Sequence, residues 1–158
     1  MFMGVSVKNY FIYILKLENC SWYVGTAENL VHRLTTHAMK SPYSIIDKKA
    51  GGSTAKKGLT GIRKAISLHA AFSVTCSEVI LTEIEDAVTA SMGNKYGYDV
   101  VRGGTWHQLW GVRIDTAQVV KHRNVHSKEN IRSSYNLQEL KLNTMIDEIP
   151  FRLTEKNI

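Results

Sequence analysis

The chain has 158 residues, 44% of them hydrophobic, and 20 Lys and Arg against 14 Asp and Glu give it a net charge of +6. That is the length of one domain with an ordinary core. No apolar run reaches the ~18 residues of a spanning helix, and Met1 to Lys8 does not read as a secretory signal. The expectation is a cytoplasmic protein with no membrane partner.

The first predicted elements form a hairpin. Tyr10–Leu17 is rich in Phe, Ile, Tyr and Leu, Glu18–Ser21 is a polar turn, and Ser21–Gly25 is the returning strand. Alternation puts Tyr13 and Leu15 on one face, Ile12 and Ile14 on the other. Thr26 is the expected cap of a helix whose apolar stripe is Leu30, Val31, Leu34 and Ala38. Arg33 and His37, four apart, share one face of it.

Ser41–Gly61 reads as a long loop, and Leu59–Ala70 as a short helix with Ile62 and Ile66 inward. Phe72–Leu81 reads as a third strand. Thr82 then opens a helix to about Lys95, with capping-box spacing to Glu85. Ile84, Val88 and Met92 are its buried stripe, and Gly97 ends it. A tight turn follows over Val100–Gly104. Asp115–Arg123 and Asn136–Ile149 are helix candidates, with a polar loop over Asn124–Ser134 between them. The expected layout is a domain over residues 1–106 and a helical C-terminal extension or arm over 107–158.

Charge and chemistry point to one substrate. Between Ala38 and Phe72 lie Lys40, Lys48, Lys49, Lys56, Lys57, Arg63 and Lys64 against Asp47 alone, an excess equal to that of the whole chain. Such a stretch attracts polyanions, so these seven cations are candidate nucleic-acid contacts. Tyr13, Tyr23, Arg33, His37 and Glu85 bring two phenols, a guanidinium, an imidazole and a carboxylate, the groups that phosphodiester hydrolysis with one divalent ion requires.

The Ile12-Tyr13 pair, followed by Tyr23-Val24-Gly25, resembles the paired motif of the GIY-YIG nuclease superfamily. Arg33, His37 and Glu85 follow in that family's order, and Val101–Gly104 resembles a segment of some members. The resemblance spans about Tyr10 to Trp106 and departs where Phe11 stands for the first Gly. It implies an α+β fold with a small central antiparallel or mixed sheet of about three strands flanked by helices. It also implies a metal-dependent endonuclease acting on double-stranded DNA. In that reading Tyr13 is the general base, with His37 to accept or polarise its proton. Tyr23 contacts the water or phosphate, Arg33 the phosphate oxygens, and Glu85 holds one Mg²⁺ or Mn²⁺. Glu83 is the rival ligand, and Asn94 the nearest match to an asparagine some relatives place near the metal. The alternative is a catalytically silent nucleic-acid-binding or recruitment module on the same fold.

The remaining signals read as structural. Cys20 and Cys76 lack zinc-type spacing and are expected as reduced, mostly buried thiols. His122 and His126 are four apart in a polar stretch with no third ligand nearby, and read as solvated. Trp106 and Trp110 are expected to anchor the tail. The C-terminal helices are the surface expected to serve a homodimer or a protein partner.

Overall fold

The computed structural model describes residues 6–39, 63, 65–108, 110–111, 113–142 and 152–153. In chain order the elements are β1 (Lys8–Leu17), β2 (Ser21–Ala27), α1 (Leu30–Met39), β3 (Ala65–Cys76) and α2 (Glu78–Tyr96). A 3₁₀ turn (Tyr98–Val100), β4 (Val101–Gly103), α3 (Thr116–His126), α4 (Ile131–Tyr135), β5 (Gln138–Glu139) and β6 (Arg152–Leu153) follow. The class is α+β. The sheet is mixed, in the order β4-β2-β1-β3-β5, with β6 also paired to β3. It has more strands than the three expected, because β4, β5 and β6 are only two or three residues long. Strands this short carry no readable alternation.

The hairpin closes through Asn19 and Cys20, both at positive φ. Cys20 is exposed and Cys76 buried, and both are free thiols. Tyr13 pairs with Gly25 and Leu15 with Tyr23, so these four residues share one face of the sheet. That face packs under α1, where Tyr13, Leu15, Leu17, Leu30, Leu34, Leu68 and Trp110 form one core. The opposite face carries Ile12, Ile14 and Val24 against Leu81, Ile84, Val88 and Met92 of α2.

Several boundaries differ from expectation. β3 runs Ala65–Cys76, earlier at both ends than Phe72–Leu81. It absorbs the second half of the helix expected over Leu59–Ala70, and Ile66 faces outward at 46% exposure. β3 sits in mid-sheet with most of its residues buried, so its sequence is an apolar run in place of an alternation. α1 is capped by Asn29, whose side-chain oxygen accepts from His32 N–H at 3.0 Å, and not by Thr26. α2 begins four residues before Thr82, with Ser77 as its cap accepting from Ile80 N–H at 3.3 Å. Val101–Gly103 is a strand parallel to β2, and the turn comes after it, where Gly103 and Trp106 exchange backbone bonds.

Among the described residues after Trp106 the helices fall elsewhere than expected, and part of the stretch is tied to the same sheet. α3 extends to His126 and α4 occupies Ile131–Tyr135, so both helices enter the stretch expected as loop over Asn124–Ser134. Asn136, at φ 56°, closes α4 instead of opening a helix, and Gln138–Glu139 pairs with β3. Residues 143–149 of that expected helix, and the loop expected over 41–61, lie outside the described residues. Trp106 is buried, donates its indole N–H to Tyr98 O at 3.0 Å and meets the Tyr98 ring edge-on. Trp110 is buried, with the guanidiniums of Arg102 and Arg63 4.3 Å and 4.7 Å from its ring centre. Both tryptophans are buried and hold the tail to the core. Among the described residues no helix is long and apolar enough to cross a membrane.

Candidate active site

The hairpin supplies the two phenols. Their ring centres are 6.4 Å apart, tilted by 47°. Gly25 makes the arrangement fit, because the Tyr13 ring lies across its backbone. A Cβ there would stand 2.5 Å from Tyr13 Oη and 2.8 Å from Cε2, well inside contact distance. The glycine is thus required by packing, whatever chemistry the site performs.

α1 delivers the guanidinium. Arg33 lies one turn into the helix, half-buried, and donates hydrogen bonds to the hydroxyls of both Tyr13 and Tyr23. Burial alone would weaken its proton affinity, but the two phenols more than restore it. Tyr13 has no exposed surface. Burial pushes its pKa well above the ordinary phenol value, reinforced by Tyr23, while Arg33 acts the other way. Tyr23 keeps some exposure. Its pKa is also raised, by burial first and by the charge of Glu85 second, with Arg33 opposing both.

Glu85 comes from α2. The earlier start of that helix places it in the helix interior, so it is not a capping residue. Its carboxylate accepts the N–H of Gly104, the residue after β4, and feels the charge of Arg33. Burial raises its pKa to about 7, and the neighbouring Asp86 adds to the rise. Burial thus outweighs the Gly104 N–H and the charge of Arg33, both of which favour the ionised carboxylate. Gly103 lets α2 approach this closely: its φ is 153°, and a Cβ there would meet Val24 O at 2.6 Å and Thr89 Oγ1 at 2.8 Å.

The other candidates separate from this cluster. Glu83 is exposed and accepts from the Tyr135 hydroxyl at 2.9 Å, on the side of α2 that faces α4. Asn94 is exposed and donates to Ser127 Oγ at 3.0 Å. His37 lies in α1, but its side chain is outside the described residues. So are Lys40, Lys48, Lys49, Lys56, Lys57 and Lys64. Arg63 is described: its guanidinium packs over Trp110, and burial lowers its pKa. It is a half-buried packing group more than a free surface cation.

One expectation is overturned. His122 is buried, not solvated, and His126 is only partly exposed. Both face Asp86, which is the third group absent from their sequence neighbourhood. Burial opposes ionisation of Asp86, yet the His122 ring and the donors of Thr105 hold its carboxyl below the ordinary range. No protein-family model, curated protein or solved structure matches this chain.

Proposed function

We propose that the protein is a metal-dependent endonuclease of the GIY-YIG type that hydrolyses phosphodiester bonds in double-stranded DNA. One observation carries the reading. Tyr13, Tyr23, Arg33 and Glu85, drawn from the hairpin, α1 and α2, interact with one another although up to 72 positions separate them in the sequence.

Arg33 is the group that engages the phosphate, since its forked, permanently charged head suits two nonbridging oxygens. Glu85 fits a divalent ion: it is a single, poorly compensated carboxylate, and Mg²⁺ or Mn²⁺ commonly takes one carboxylate and completes its shell with water and phosphate oxygens. The ion's contribution would be to neutralise charge on the phosphate. The exposures of the two phenols redistribute their expected roles. A general base must reach the attacking water, and Tyr13 has no exposed surface. Both hydroxyls are bonded to Arg33 and raised by burial; Tyr23, the phenol that keeps some exposed surface, is the better placed to meet the water, with Arg33 favouring its ionised form, and Tyr13 is a positioning residue that holds Arg33 in place. The basic segment after α1 supplies general affinity for the backbone, fixing position and not sequence.

Substitution at the metal ligand tests the assignment. Glu85→Gln is expected to abolish cutting while DNA binding persists, and Glu83→Gln to cut as the wild type does. The reverse pattern would move the ligand to the other side of α2. Binding by the wild type without cutting would leave the recruitment-module reading.

A further inference from the structure

We propose that Asp86, His122 and His126 form a second metal site, for a transition-metal dication of the Zn²⁺ class, which ties α3 to α2. The inference does not depend on the endonuclease reading.

The donor atoms already converge. One ligand atom from each residue lies within 4.8 Å of the others. His122 Nε2 is 3.8 Å from Asp86 Oδ1, and His126 Nδ1 is 4.0 Å from Asp86 Oδ2. These gaps are too long for hydrogen bonds. The two Asp–His gaps exceed by roughly half an ångström, and the widest separation in the set, up to 4.8 Å, by more than about 1 Å, the ligand–ligand spacing around an ion with metal–ligand bonds of about 2.0–2.2 Å. Closing the site takes an inward movement of the three side chains, the largest part of it along the 4.8 Å separation.

The second observation is an orphaned atom. His122 is only 7% exposed, and its Nε2 is buried with no hydrogen-bond partner. Its other nitrogen, Nδ1, lies 3.1 Å from the Tyr98 hydroxyl. Nε2 faces the Asp86 carboxylate at 3.8 Å without a hydrogen bond, and with the ring proton on Nδ1, shared with the Tyr98 oxygen, its lone pair is open to a metal ion. Ligating histidines are held this way, by a partner on the far nitrogen. Asp86 is likewise oriented, accepting from Thr105 N–H at 2.7 Å and Thr105 Oγ at 2.9 Å. Gly104 leaves the room: its φ is 53°, and a Cβ there would press on the Asp86 carboxylate.

Two imidazoles and one carboxylate suit Zn²⁺ and its neighbours better than Mg²⁺ or Ca²⁺, which favour all-oxygen shells. A cleft of about 350 Å³ bordered by Glu83, Asp86, His126 and Lys128 gives an entry path and leaves the remaining position to water. Lys128 is engaged with the Tyr135 hydroxyl at 3.1 Å, and Glu83 on the same rim offsets its charge.

The test is a titration of the chelator-treated full chain with Co²⁺, followed by its visible absorption, and with Zn²⁺ by calorimetry. The expected result is one equivalent bound, displaced by Zn²⁺ and not by millimolar Mg²⁺. His126→Ala, at a partly exposed position that should tolerate truncation, is expected to weaken binding by at least ~100-fold. Tyr98→Phe is expected to weaken it ~10–100-fold through loss of the orienting bond. No binding would show an Asp–His cluster that needs no ion. Binding unchanged by His126→Ala, or competed equally by Mg²⁺, would equally overturn the proposal. Because the readout is binding and not cleavage, failure here leaves the endonuclease reading standing.

Discussion

Glu85→Gln is expected to stabilise the protein above neutral pH while abolishing its activity. The carboxyl has an ordinary value of 4.5 in the open chain and about 7 when folded. Below the lower value both states carry the proton, and Glu85 costs nothing. As pH rises between the two values, the unfolded chain loses its proton and the folded one keeps it, so stability falls. Above the upper value both are ionised and the full cost is present. From 4.5 to about 7, at ~1.4 kcal/mol per pH unit, that cost is about 3 kcal/mol. Glutamine keeps an acceptor for Gly104 N–H and carries no charge. Urea denaturation at pH 4 should therefore give similar stabilities for the two proteins. At pH 8.5 without divalent ions the variant should be more stable by up to about 3 kcal/mol. Adding Mg²⁺ at pH 8.5 should raise the wild type toward the variant and leave the variant unmoved. A variant less stable than the wild type at pH 8.5 would mean that Glu85 is a satisfied structural ion, and the argument from its strained charge would fail.

Three further outcomes follow from the same geometry. Gly25→Ala pushes a methyl into the Tyr13 ring, so thermal or chemical denaturation should show a loss of about 1–3 kcal/mol, with activity falling alongside; wild-type stability would disprove the close packing. Tyr23→Phe should cost more in single-turnover cleavage rate than Tyr13→Phe, and the reverse order would return the base to Tyr13. Affinity for duplex DNA should fall steeply with salt, and a log–log slope near zero would remove the basic segment from the interface.

How much of this was legible depends on the kind of signal. The hairpin could be read because Phe11–Leu15 and Trp22–Gly25 are strand-formers on either side of a polar turn. Arg33 could be placed because four-residue spacing fixes a helix face. β3 was misplaced because a strand buried in mid-sheet loses its alternation, and Ala65–Ala71 then looks as much like a helix as a strand. The start of α2 was misread because Ser77 and Thr82 both suit a cap, and Thr82-x-x-Glu85 imitates a capping box; tertiary packing chose Ser77. The exposures that separate Tyr13 from Tyr23 depend on α1 covering the sheet, which no local pattern encodes. The Asp86 cluster was half visible. The i, i+4 histidines are legible in the sequence, but their carboxylate comes from another helix 36 positions earlier, and only the packing of α3 on α2 pairs them.

The most direct measurement of the central claim is incubation of the purified chain with supercoiled plasmid and Mg²⁺ or Mn²⁺, with and without chelator. Conversion to nicked or linear DNA that chelation stops is the predicted result. Intact plasmid in either ion, from a folded protein that demonstrably binds it, would contradict the account.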